Sequence, residues 1–173
     1  NVPTLAELPP TPFVPPGLPD YEPPDVRLGF DVAEARRLLA AAGFPGGRGF
    51  PSFGILYNTL EAHKKLAEVV ADQLRRNLGL NVSAYNQEWQ AYQASTQTLN
   101  YDLARAGWIG DYEDPNTFLD LWITNGGNNQ TGWGDPTFDA LIRAAANVEA
   151  FIAAPDALLQ QLSHRESAQK LLD

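Results

Sequence analysis

Between Ser52 and Gly107 the chain alternates three short apolar runs with two helical ones, and few folds accept that order. Ser52–Asn58 (SFGILYN) is apolar and aromatic, which predicts a strand. The spacing of Leu66, Val70, Leu74 and Leu78, supported by Val69, predicts a helix over 61–78 that Gly79 ends. A second strand is predicted over 80–85, and a second helix, weakened by its Ser and Thr content, over 88–98. A third strand is predicted over Asp102–Gly107. Two strand–helix–strand units in succession require parallel strands, right-handed crossovers and helices that cover the sheet. The carboxyl ends of the three strands, at Asn58, at Asn86-Gln87-Glu88 and at Trp108–Asp111, must then share one edge.

The third strand runs into a loop crowded with aromatic and acidic residues: Trp108, Asp111, Tyr112, Glu113 and Asp114. Pro115 opens a helix after it, because a missing N–H costs nothing at the first helical position, and Asp114 is placed to cap the free amides. In an open α/β sheet, ligands bind in loops beyond the carboxyl ends of strands. This loop is therefore the candidate site.

On either side of this core the signals are simpler. Nine of the 14 prolines fall within residues 1–24, which forbids helix and leaves extended or polyproline chain. Phe13, Val14, Leu18 and Tyr21 give that segment apolar anchors, so residues 1–30 are expected to lie as an extended arm on an α/β lobe formed by 31–173. Asp31 and Glu34 form a variant capping box for a helix with Val32, Ala35, Leu38, Leu39 and Ala42 inward, stopped by Gly43. The glycines at 43, 46, 47 and 49 carry no Gly-Lys-Ser/Thr signature and follow no strand, so they are read as a loop and not as a phosphate cradle. Beyond the candidate site, a helix is expected over 115–123 and a polar turn over 125–130. Another helix, capped by Asp135 and Pro136, is expected to turn Phe138, Leu141, Ile142 and Ala145 inward. Pro155 should begin the last helix, with Leu158, Leu162 and Leu172 inward. Because the chain stops directly after Leu171-Leu172, contains no methionine and begins at Asn1, it is read as part of a longer protein whose targeting segment lies outside.

Composition removes several functions. A net charge of -9 repels phosphate backbones, and the basic residues form no stripe, so no nucleic acid is expected as a partner. The absence of cysteine rules out disulfides, thiolate catalysis and cysteine-ligated zinc. No apolar run approaches the roughly 18 residues of a membrane span. With only His63 and His164, far apart in sequence, no metal site is supported, and no cofactor is expected. There is no Gly-x-Ser-x-Gly nucleophile motif. A carboxylate pair within 111–114 could do acid–base work, yet Asp114 is better read as a helix cap and Glu113 as a solvated loop residue. The triplets at 81–83 and 129–131 match the glycosylation acceptor pattern, which arises often by chance.

The string YDLARAGWIGDYEDPNTFLDLW resembles the peptide-site segment of family 5 extracytoplasmic solute-binding proteins, in particular the oligopeptide-binding proteins of ABC importers. FVPPG near the start, AGFPGG after the first helix, LYNT followed by HKKLAE, NQEW, and GDPTFDALI agree with it in order. The resemblance implies a periplasmic-binding-protein-like lobe, most of the second lobe of a two-lobed protein that closes on its ligand, with the first lobe missing. It implies an extracytoplasmic or periplasmic monomer that passes oligopeptides to a membrane permease without making or breaking a bond. Related proteins take dipeptides, nickel complexes, sugars or antibiotics, and a carboxylate-dependent hydrolase is the alternative of another class. Residue by residue, Asp111 matches the aspartate that holds the peptide's α-ammonium, and Trp108 the tryptophan that walls a side-chain pocket. Arg105 and His63 match positions that answer the peptide's terminal carboxylate. One position departs from the pattern: Thr96 stands where the best-known members carry another arginine.

Overall fold

The computed structural model describes residues 13–19, 21–22 and 29–153, the last seven of these as backbone only. Its contacts divide it into two compact units, Asn1–Asp111 and Tyr112–Asp173.

In the first unit, helix α1 spans Val32–Ala41. Asp31 caps it by accepting from the Glu34 amide at 2.9 Å, while the Glu34 carboxylate turns to Arg37 and does not close the reciprocal half of a capping box. Strand β1 (Phe53–Asn58), helix α2 (Glu61–Leu78), strand β2 (Val82–Gln87), helix α3 (Trp89–Gln97) and strand β3 (Leu103–Ala104) follow in the expected alternation. The sheet is parallel, in the order β2-β1-β3, with Phe53 opposite Val82 and Ile55 opposite Leu103. The fold is the α/β lobe that the alternation demands. The first crossover runs from β1 out to β2 and the second runs back from β2 across β1 to β3, in the opposite direction, so the right-handed rule puts α2 and α3 on opposite faces.

The core lies mainly on the α2 face. Ile55, Tyr57 and Val82 meet Ala67, Ala71 and Leu80, with Phe50, Phe53, Val70 and Leu74 around them. Two alanines sit deepest on α2 because small side chains let the helix approach the sheet closely. Val69, expected to support the buried face, is instead exposed, since it falls about 100° from Val70 around the helix. Leu38 on α1 is exposed as well. On the other face Leu56 is fully buried, and α3 contributes Tyr92, Ser95 and Thr96, a largely polar lining.

The glycine-rich loop after α1 has a structural explanation. A Cβ on Gly47 would lie 2.5 Å from the Gly79 carbonyl oxygen, and one on Gly79 would lie 2.5 Å from that of Gly46. Two backbones therefore touch directly at the end of α2, where Gly79 takes the left-handed conformation (φ 70°) that stops the helix.

The largest departure from expectation is β3, two residues long where six were predicted. It remains an edge strand with Leu103 45% exposed. The backbone of Arg105 donates one more bond to Leu56 at 2.8 Å, but its carbonyl is taken by the Tyr92 hydroxyl at 2.7 Å, and the chain leaves the sheet there. In the segment before α1, Val14 is buried and Phe13 largely exposed, so the anchoring expected of four side chains is clearest at one.

The second unit contains α4 (Asn116–Leu119), a tight 3₁₀ turn over Asp120–Trp122, and α5 (Pro136–Ala153). Asp114 Oδ1 accepts from the Asn116 amide at 2.7 Å, and Asp135 Oδ1 accepts from the amides of Thr137 and Phe138, as expected of caps. Ile142 is buried but Leu141 and Ala145 are exposed, which narrows the inward face expected of this helix. Asp139, also buried, accepts from the Thr124 amide at 2.9 Å and so ties α5 to the turn after α4. The last helix expected from Pro155 onward lies outside the described residues.

Candidate functional site

The carboxyl edge of the sheet is built from neutral polar side chains joined to one another. Thr59, just beyond β1, donates both its amide (2.9 Å) and its hydroxyl (3.0 Å) to the carbonyl of Gln87 at the end of β2. Asn86 donates to the same Thr59 hydroxyl at 2.9 Å. Tyr57, Thr59, Leu60, Glu61, Lys64 and Asn86 line an open hollow of about 260 Å³ on this side of β1. None of the four residues singled out from the sequence lines it.

His63 lies on the first turn of α2, half-buried, with Nδ1 2.8 Å from Asn58 Oδ1 at the end of β1. The Asn58 Oδ1 can only accept, so Nδ1–H is the donor in that contact and Nε2 is left for another partner. Arg105 follows β3 directly, half-buried, beside the opposite edge of β1. The first crossover leaves β1 toward β2, while β3 pairs on its other side, so β1 and β3 flank the switch point at which open α/β sheets bind ligands. His63 and Arg105 thus come from the two adjacent strand ends that border this point.

The Arg105 guanidinium folds over Gly107, where a Cβ would lie 3.2 Å from its Nη2. Its Nε is buried without a hydrogen-bond partner, and so is Oε1 of Gln87 at the end of β2. A buried polar atom left unpaired costs about 1–3 kcal/mol, so a donor and an acceptor at one sheet edge favour whatever supplies their partners. Trp108 and Asp111 occupy the exposed loop that follows, Trp108 39% exposed and Asp111 at the surface.

Thr96, the position that departs from the family pattern, is 2% exposed on α3, with its hydroxyl turned to the Gln93 carbonyl at 3.1 Å. It faces the sheet and has no access to solvent. Asp114 is engaged as a helix cap, and among the described residues no group of three His, Cys, Asp or Glu side chains could hold a metal ion.

Two participants escaped sequence reasoning. Tyr92 reads as one more aromatic on a weak helix, yet its hydroxyl holds the Arg105 carbonyl; burial raises its phenol pKa above the ordinary value, with the Arg105 charge pulling the other way. Asp102 accepts from the Gly54 amide at 2.9 Å and so fastens the start of β3 to β1. Neither role has a local sequence signal, because each depends on a partner in another element.

Residues 5–130 match the family described as bacterial extracellular solute-binding proteins, family 5 Middle. The chain is 43% identical over 109 residues, 63% of its length, to the periplasmic oligopeptide-binding protein OppA of Salmonella typhimurium. It spans only 20% of that relative. Among solved structures it is similar to the oligopeptide-binding protein OppAIV of Borrelia burgdorferi, with a TM-score of 0.69 and 37% identity over 76% of this chain and 26% of that one. It is also similar to Haemophilus influenzae OppA in complex with the peptide RPPGFSPFR, with a TM-score of 0.59 and 38% identity over 63% of this chain and 21% of that one.

Proposed function

This chain belongs to the family 5 bacterial extracellular solute-binding proteins, and on that premise we propose that it forms part of the peptide site of an oligopeptide-binding protein serving an ABC importer. The protein works outside the cytoplasm, in the periplasm or its equivalent, and residues 31–173 contribute most of its second lobe, with residues 1–30 an arm laid on it. The ligand is an oligopeptide, enclosed when this lobe and the first lobe close, and released to a membrane permease. Chemistry is confined to binding; no bond is made or broken.

The observation that carries this reading is the edge where β1, β2 and β3 end. Among neutral polar groups bonded to one another it holds two buried, unpaired atoms, the Gln87 Oε1 acceptor at the end of β2 and the Arg105 Nε donor beside the switch point between β1 and β3. A peptide brings a run of backbone amides and two fixed charges, and this edge answers that chemistry without reading side chains. Asp111 holds the α-ammonium, Arg105 and His63 answer the terminal carboxylate, and Trp108 walls a side-chain pocket that water can fill where the side chain is small.

Mass spectrometry of what co-purifies with the complete protein tests the reading directly. Peptides of mixed sequence and narrow length are expected. A single non-peptide solute, or a nickel complex, would overturn it.

A further inference from the structure

We propose that Tyr92 is a positioning residue of the peptide site: its hydroxyl, 2.7 Å from the Arg105 carbonyl, ends β3 at that residue and fixes the direction from which the guanidinium meets a ligand's terminal carboxylate. The proposal rests on the reading of Arg105 as the group that answers that carboxylate.

Three observations carry it. First, the parallel ladder is intact up to the Arg105 amide, which donates to Leu56 at 2.8 Å. The next bond of a continuing parallel strand would engage the Arg105 carbonyl with β1, and that carbonyl belongs to Tyr92 instead. The hydroxyl therefore decides where strand ends and loop begins. Second, Tyr92 is itself held. It is 6% exposed and stacks on Trp89 with ring centroids 5.7 Å apart and planes within 15°, so the hydroxyl has little freedom to follow a wandering backbone. Third, the residue being aimed has a defined side-chain site, with the guanidinium over Gly107 and a buried Nε awaiting an acceptor. Held at its amide by β1 and at its carbonyl by α3, Arg105 can move only its side chain.

The hydroxyl is separable from the ring. Tyr92→Phe keeps the stack on Trp89 and the volume under α3, and removes one hydrogen bond. The loss of a neutral hydrogen bond corresponds to a factor of about 2 to 10 in an equilibrium constant. In the complete binding protein, Tyr92→Phe is expected to weaken binding of a free-acid peptide by that factor. The same peptide as its C-terminal amide, which lacks the carboxylate, should bind the variant as it binds wild type.

Amide hydrogen exchange supplies the second measurement. The Arg105 amide should exchange faster in Tyr92→Phe, while Ile55 and Val82 in the sheet core keep their protection. Equal loss of affinity for acid and amide, as general loosening would give, overturns the proposal, and so does unchanged exchange at Arg105. If wild type binds acid and amide equally, the carboxylate role of Arg105 fails by itself. Exchange at Arg105 then decides whether Tyr92 sets the end of β3.

Discussion

Replacing Gly47 and Gly79 by alanine, singly and together, tests the close approach of two backbones at the end of α2. Both glycines have positive φ, 76° and 70°, so alanine at either site brings strain of about 1–3 kcal/mol. Each new Cβ would also meet a carbonyl oxygen at 2.5 Å, well inside the 3.4 Å at which ordinary contact begins. Those obstacles are backbone atoms that cannot rotate away, so the two segments must separate, at a cost of about 1–3 kcal/mol. Gly47→Ala and Gly79→Ala should therefore each destabilise by about 2–6 kcal/mol. Gly46→Ala is the control: its φ of 64° brings the same strain, but a Cβ there meets nothing within 4 Å. The double variant is the sharper test, because the segments need separate only once. Its cost should fall short of the sum of the single costs by roughly the steric share, about 1–3 kcal/mol. Urea unfolding of the 173-residue chain followed by circular dichroism measures all four variants. Additivity within about 0.5 kcal/mol, or a Gly47→Ala cost no larger than that of Gly46→Ala, would refute the close-approach account.

In the complete protein, Asp111→Ala should weaken peptide binding by roughly 30-fold to a few thousand-fold, the consequence of leaving a ligand ammonium buried without its partner. N-terminally acetylated peptides should bind wild type poorly and lose less on mutation, and equal affinities in calorimetry would remove Asp111 from the site. The isolated chain should bind peptide far more weakly than the complete protein, because the proposed reading assigns the other half of the enclosure, and its closure, to a first lobe; micromolar affinity by calorimetry would contradict this. Asp102→Ala removes the acceptor of the Gly54 amide and should destabilise by about 1–3 kcal/mol in urea unfolding, and an unchanged midpoint would show that water replaces the carboxylate fully. Burial raises the pKa of Tyr92 in the folded state, so the unfolded chain ionises first and the phenol's contribution is lost as pH rises from about 10 through that raised value. The stability gap between wild type and Tyr92→Phe should therefore shrink in alkali, and a gap that widened there would reverse the sign assigned here.

What could be read from the sequence depended on how local its cause was. Helix α2 is legible to the residue because its start, its apolar spacing and its Gly79 stop all lie within one continuous stretch. The Asp31, Asp114 and Asp135 caps are legible for the same reason, since an acceptor and the amides it serves are two or three residues apart. Parallel pairing and the shared carboxyl edge follow from the order of elements, so Asn58, Gln87 and the start of the 105–111 loop could be brought together without coordinates. The length of β3 could not, because the run DLARAG says nothing about a tyrosine thirteen residues before Arg105 that takes its carbonyl. The polar inward face of α3 was equally hidden: Ser95 and Thr96 are buried through their place against the sheet, against the usual preference of their side chains. At the site, resemblance supplied roles for Arg105, His63, Trp108 and Asp111, while the surrounding bonds among Thr59, Asn86 and Gln87 needed the register.

The edge is organised in two layers that do different work. Thr59, Asn86 and the Gln87 carbonyl spend their hydrogen bonds on one another, and His63 spends one on Asn58, so the loops after β1 and β2 are fixed before any ligand arrives. Arg105 differs, since its backbone is fully engaged while its Nε is left buried and unpaired. A group whose main chain is held and one of whose side-chain donors lacks a partner loses little freedom on meeting an acceptor and gains a bond it did not have. Such an arrangement favours ligands by their terminal and backbone chemistry and is indifferent to their side chains. On the proposed reading, rigid recognition of what all peptides share falls to the strand ends and to Asp111, and the exposed surface around Trp108 is left for what differs between them.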